Sequence, residues 1–274
     1  METPSSFVEE PPSRSYAAPG RWGRNALIAF FGAMQFLTIA PPVIRRLFTP
    51  QEMGRAVAFF PVIGMLLGLG LYGLDEGLRW FWSSGVTSAL VLSVWILSTG
   101  ALHMDGFLDS CDGLLGGRTA EDRLRIMKDE RVGAYAVIGG VLLLLLKYVT
   151  LTSMEDRLTS FLLSPVLGRW SMVLAIVFFP YARPEGLGRW MHDHAGWWEV
   201  IFATLVASGA CWLIAQERGL LVLGLVGGTT WLAARFAFRR LAGLTGDIYG
   251  AICEMVEVLV LLLLTARIPA CVCR

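Results

Sequence analysis

The sequence predicts an all-α integral membrane protein, a polytopic helical bundle of about seven spans, and three observations carry that prediction. Apolar residues make up 55% of the chain and charged residues only 16%, against about a quarter charged in soluble domains, whose surface must be wetted. The mean hydropathy is +0.60. The apolar residues gather in runs that approach the roughly 20 residues a helix needs to cross a bilayer at about 1.5 Å per residue. Ten Trp and fifteen Phe suit the aromatic belts of membrane interfaces. A formal net charge of +1 speaks against a nucleic-acid footprint or an acidic tail.

Residues 1–24 are rich in Pro and Ser and lack an apolar run, so they read as a flexible tail with no secretory signal. Residues 25–274 read as one transmembrane domain. Its apolar stretches lie near 26–40, 56–74, 85–102, 134–152, 160–179, 198–215, 220–238 and 251–268. The first is short, carries Gln35 and stops at Pro41-Pro42, and is expected to be re-entrant or interfacial. No repeat of fixed period stands out. The five cysteines (Cys111, Cys211, Cys253, Cys271, Cys273) form no paired framework or metal spacing and are expected to be reduced.

If the later seven stretches all span, the connections near 41–55, 103–133, 180–196 and 239–250 share one side. They hold most of the basic residues, among them Arg45, Arg46, Arg123, Arg125, Lys128, Arg131, Arg183, Arg239 and Arg240. The positive-inside rule places that side in the cytoplasm.

The chemistry is expected in the segment from Gly100 to Gly133. Asp105, Asp109 and Asp112 stand at i, i+4 and i+7, within about 60° of one another on a helix. Three unpaired anions on one stripe beside a bilayer are costly, and a divalent cation relieves the cost. Carboxylates are hard ligands suited to Mg²⁺, which keeps some water and accepts substrate phosphate oxygens. The alternative for any single Asp is a solvated or capping role. His103 reads as a general base, a partner of a carboxylate, or an interfacial polar residue. Thr119 to Asp122 fits a capping box that opens a cationic stretch. Arg123, Lys128 and Arg131 offer charge to phosphate, with Asp129 among them; taken singly, each base also suits a positive-inside loop. Acids for a metal beside bases for phosphate point to phosphoryl or pyrophosphate chemistry.

A second constellation runs from Arg239 through Thr245 and Asp247 to Glu257. Asp247, Gly250 and Glu254 share a helical face that Glu257 continues into the last span, where ionisable groups are functional candidates. Asp247 is the strongest of these, and pairing with Arg239 or Arg240 is the bland alternative.

The run Gly100-Ala101-Leu102-His103, Asp105-Gly106, Asp109, Asp112-Gly113, Arg123-Leu124, Ile126-Met127-Lys128-Asp129, Arg131-Val132-Gly133 resembles the adenosylcobinamide-GDP ribazoletransferase, or cobalamin synthase, family. Phe36-Leu37-Thr38, Phe60-Pro61-Val62-Ile63-Gly64, Arg169-Trp170, Tyr181-Ala182-Arg183, Glu185-Gly186-Leu187-Gly188 and Thr245-Gly246-Asp247 add matches in order over nearly all the chain after residue 25. Three positions depart: Ile39-Ala40 where the family usually has a basic residue, Ala242-Gly243 where it has Gly-Gly, and Glu130 in place of a small hydroxyl residue.

The resemblance implies a late step of vitamin B12 synthesis at the bacterial inner membrane, with the site facing the cytoplasm. The 5′ hydroxyl of α-ribazole or its 5′-phosphate attacks the cobinamide-side phosphorus of adenosylcobinamide-GDP, and GMP leaves in a Mg²⁺-dependent reaction. Asp105, Asp109 and Asp112 are then expected to hold Mg²⁺. Asp247 and Asp129 complete the shell or take the proton, and Arg123, Lys128, Arg131 and Thr245 contact substrate. The rival readings are a CDP-alcohol or prenyl diphosphate transferase and a cation transporter. The spacing of the acids argues against the first two, and the absence of an internal repeat against the third.

Overall fold

The computed structural model describes residues 22–266, and they form a helical bundle; the expected 1–21 portion of the tail and the calls on Cys271 and Cys273 lie outside them. The helices are α1 (Trp22–Leu37), α2 (Pro50–Ala56), α3 (Phe60–Leu78), α4 (Ser84–Ser98), α5 (Leu102–Gly116) and α6 (Ala120–Ile126). They continue as α7 (Ala134–Ser153), α8 (Arg157–Phe178), α9 (Leu187–His194), α10 (Trp197–Leu241) and α11 (Gly246–Thr265). Among the described residues five helices are long and apolar enough to cross a membrane, and α4 and α5 reach that length and hydropathy only when taken together as one bent pair.

The longest, α10, is two helices. Gln216 has φ 48° and ψ −129°, and Gly219 meets the backbone of Cys211. Residues eight apart in a straight helix would be separated by about 12 Å, so the chain reverses there. The apolar stretches from 56 onward thus each have a helical counterpart. The first stretch forms α1, whose apolar part Asn25–Leu37 falls short of a span. Gln35 clamps the chain that follows: its Nε2 donates to the Ile44 carbonyl at 3.1 Å and its Oε1 accepts the Ile44 N–H at 2.8 Å.

Helix α8 is the axis of the bundle, buried on all sides. Gly64 and Gly68, four residues apart on α3, let that helix lie against the backbone of Pro165 and Phe161 on α8. Small residues at this spacing allow close approach where lipid provides no hydrophobic drive. Pro165 lacks an N–H, so the Phe161 carbonyl has no ordinary helical partner; that carbonyl is the one facing Gly68.

The stretch expected as one span over 85–102 is broken. Gly100 (φ 60°) and Ala101 (φ 57°) both adopt left-handed backbone, and α4 meets α5 at 87°. For Ala101 that conformation costs about 1 kcal/mol or more. The acidic segment is therefore a helix packed on α7 and α11 rather than an open connection.

The four arginine-bearing connections meet at one end. Asp112 reaches Gly133, Arg240 donates to the Leu114 carbonyl at 2.7 Å, and Ala182 N–H donates to the Leu244 carbonyl at 2.8 Å. Gly54 of α2 abuts His194 of α9. At the far end the buried Asp75–Arg157 pair joins α3 to α8, and Ser84 donates to the Thr152 carbonyl at 3.2 Å.

Candidate active site

Two glycines build the site. A Cβ on Gly106 would stand 2.8 Å from the Asp247 carbonyl oxygen and 2.9 Å from its Cα, and one on Gly250 would stand 3.1 Å from the His103 Cα. Without side chains there, α5 and α11 run antiparallel in backbone contact. That seam brings Asp247 beside the acidic stripe of α5.

Asp105 is exposed and Asp109 half-buried. The charges of Asp105, Asp247 and Asp112 all bear on Asp109, as does that of Arg183. Among the described residues neither Asp105 nor Asp109 accepts a side-chain hydrogen bond. Asp247 is tied down by comparison. Its Oδ2 accepts from Arg183 Nη2 at 2.7 Å and from Thr245 Oγ1 at 3.2 Å. Thr245 also caps α11, accepting the Ile248 N–H at 3.3 Å.

Asp112 faces differently from its two companions. Its Oδ2 accepts the Gly133 N–H at 2.6 Å and its Oδ1 the Ala136 N–H at 2.9 Å. Both oxygens thus occupy orphan donors at the start of α7, which has no cap of its own. Among the described residues no three of His, Cys, Asp and Glu converge as a ready-made metal cluster.

The basic residues divide as well. Arg123 Nη1 donates to the Arg240 carbonyl at 3.2 Å, towards the end of α10. Arg131 chelates Asp129 through Nε and Nη2, each at 3.0 Å, and holds its carboxyl below the usual range. Lys128 is exposed. Arg183 is the base that reaches the acids, from the loop between α8 and α9. The adjacent Tyr181 has its phenol pushed up by burial. Sequence reading counted Arg183 among the basic residues and the family matches without assigning it to the site, because its placement depends on the isolated bridge between Tyr181 and Leu244.

His103 lies inside the bundle, on the α5–α11 seam. It is 1% exposed, and its Nδ1 stands 3.4 Å from Arg169 Nη2. Glu254 and Glu257 pair with Lys147 and Arg169, and Asp247 with Arg183, so neither Arg239 nor Arg240 is their partner. Sequence reading passed over Lys147 and took Arg169 only as a family match, although each stands as a lone cation inside an apolar run.

The family described as Cobalamin-5-phosphate synthase matches residues 29–265. A relative from Desulforamulus reducens, named adenosylcobinamide-GDP ribazoletransferase, is 39% identical over 85% of this chain and 94% of its own length. Relatives of the same name from Herpetosiphon aurantiacus (37% identical, covering 86% of this chain and 95% of theirs) and Pseudomonas entomophila (39%, 86% and 97%) agree. No solved structure matches. With the match running from within α1 to the end of α11, the chain belongs to the cobalamin-5-phosphate synthase family.

Proposed function

We propose that this chain transfers the cobinamide phosphate of adenosylcobinamide-GDP to the 5′ hydroxyl of α-ribazole, or of α-ribazole 5′-phosphate. GMP is released, and adenosylcobalamin or its 5′-phosphate forms. The observation that carries this reading is the gathering of Asp105 and Asp109 with Asp247 and Arg183. The names of the relatives, which mention adenosylcobinamide-GDP and a ribazole, support this choice of substrates.

Mg²⁺ fits this donor set as a site of one or two carboxylates completed by water and phosphate, its usual arrangement with phosphate substrates. Asp105 and Asp109 would hold it, since among the described residues neither accepts a side-chain hydrogen bond. When bound, the ion neutralises charge developing on the diphosphate. Asp112 supports them by fixing α7.

The protein's own task is to position the reactants and move one proton. A carboxylate of this cluster takes the proton of the attacking hydroxyl as the new O–P bond forms. The bond from that phosphorus to the bridging oxygen breaks, and GMP departs with the electron pair. Arg183 donates to phosphate oxygens, steadied by Asp247, which Thr245 orients. Lys128, Arg123, Arg131 and Asp129 form a polar rim for the nucleotide. The site faces the cytoplasm of a bacterial inner membrane, on the positive-inside rule.

The test is GMP release by detergent-purified protein given adenosylcobinamide-GDP and α-ribazole, with and without Mg²⁺. Release that needs both substrates and the metal is expected. A preparation that releases no GMP, yet carries ions across proteoliposomes, overturns the reading.

A further inference from the structure

Inside the bundle lies a buried ionic network that the transfer itself does not use. Lys147 (0% exposed), Arg169 (1%), Glu254 (5%) and Glu257 (1%) join α7, α8 and α11 inside the bundle. Lys147 Nζ donates to Glu254 Oε2 at 2.6 Å and to Glu257 Oε2 at 2.5 Å, and lies 4.7 Å from the centre of the Trp95 ring. Arg169 Nη1 is held by Glu257 Oε1. Two cations face two anions, so the charges cancel. Apolar residues of the same volume often serve stability as well or better than such a network, so its presence asks for a further use.

The contact with α5 supplies one. Arg169 Nη2 meets His103 Nδ1 at 3.4 Å. A guanidinium has donors and no acceptor, so Nδ1 must present its lone pair, and a neutral imidazole must then carry its proton on Nε2. His103 Nε2 has no partner among the described residues. The joint sits where Gly250 rests on the His103 backbone, about one turn along the same seam from the Gly106–Asp247 contact.

We propose that Arg169 is a positioning residue: anchored by Glu257, it grips His103 in the Nε2–H tautomer and thereby locks α5 against α11 at the register that sets Asp105 and Asp109 opposite Asp247. His103 acts through its Nδ1 lone pair and does not touch substrate. The activity readout rests on the proposed transfer, whereas the tautomer does not.

Side-chain isosteres separate the two ring nitrogens, because an Asn amide oxygen falls where Nδ1 stands and a Gln amide where Nε2 stands. His103→Asn is expected to keep turnover within about threefold of wild type. His103→Gln and His103→Leu are expected to lose about tenfold or more in kcat with little change in KM, as misplaced catalytic groups do. Arg169→Lys, which keeps the ion pair with Glu257 but lacks the second arm, is expected to fall with them. Rescue by Gln and not Asn, full activity in all, or loss in all overturns the proposal. The ¹⁵N spectrum of histidine-labelled wild-type protein, with His103 assigned by its loss in the Asn variant, tests the tautomer without any activity. An unprotonated Nδ1 is expected, and a proton on Nδ1 overturns it. A correct tautomer in a protein that releases no GMP would discredit the transfer and leave the joint standing.

Discussion

Asp105, Asp109 and Asp112 look equivalent in the sequence, but their surroundings separate them. Asp109 feels three other carboxylates and has no side-chain partner among the described residues, whereas both oxygens of Asp112 cap α7. Asp109→Asn should therefore lower GMP release by about 100-fold or more, the scale of losing an electrostatic group in the reacting site, with an unchanged melting temperature. Asp112→Asn should lower the melting temperature, because an amide keeps one acceptor and loses the other, at a cost of about 1 kcal/mol. Thermal unfolding in detergent beside a turnover assay distinguishes them. The departure at Ala242 is also decided at this scale. Ala242 adopts φ 58° at the end of α10, a conformation natural to Gly and strained for Ala. Ala242→Gly should therefore raise the melting temperature slightly.

Among the elements, the α5–α11 seam decides the site. Gly106→Ala places a Cβ against the Asp247 backbone, which cannot swing aside as a flexible side chain can, so the two helices must part. It should abolish turnover while the purified protein remains helical by circular dichroism. Gly246→Ala is the control: nothing lies within 4 Å of the added carbon, so activity should be retained. The hydropathy pattern showed the helices but missed the bend at Gly100-Ala101, because an apolar run reads the same whether straight or folded. The reversal at Gln216 was legible, since the polar Gln216-Glu217-Arg218 interrupts two apolar runs.

The four connections that hold most of the basic residues gather at the end that carries the acidic cluster, with the Asp75–Arg157 pair at the other. In a background with the five cysteines replaced by Ser, Arg118→Cys should resist a membrane-impermeant maleimide added outside intact cells, and Ser83→Cys should react. The reverse labelling would place the acidic cluster outside the cytoplasm. The sequence by itself determined the membrane class, the helices, the sidedness of charge, the acidic stripe and the family, since each is a matter of residue type and local spacing. Only the tertiary structure decided that Asp112 caps α7, that Arg183 reaches Asp247, that Arg169 meets His103, and that Glu257 pairs inward. Those contacts join residues 21 to 110 positions apart, and helical periodicity fixes which face a side chain occupies but not which helix lies opposite.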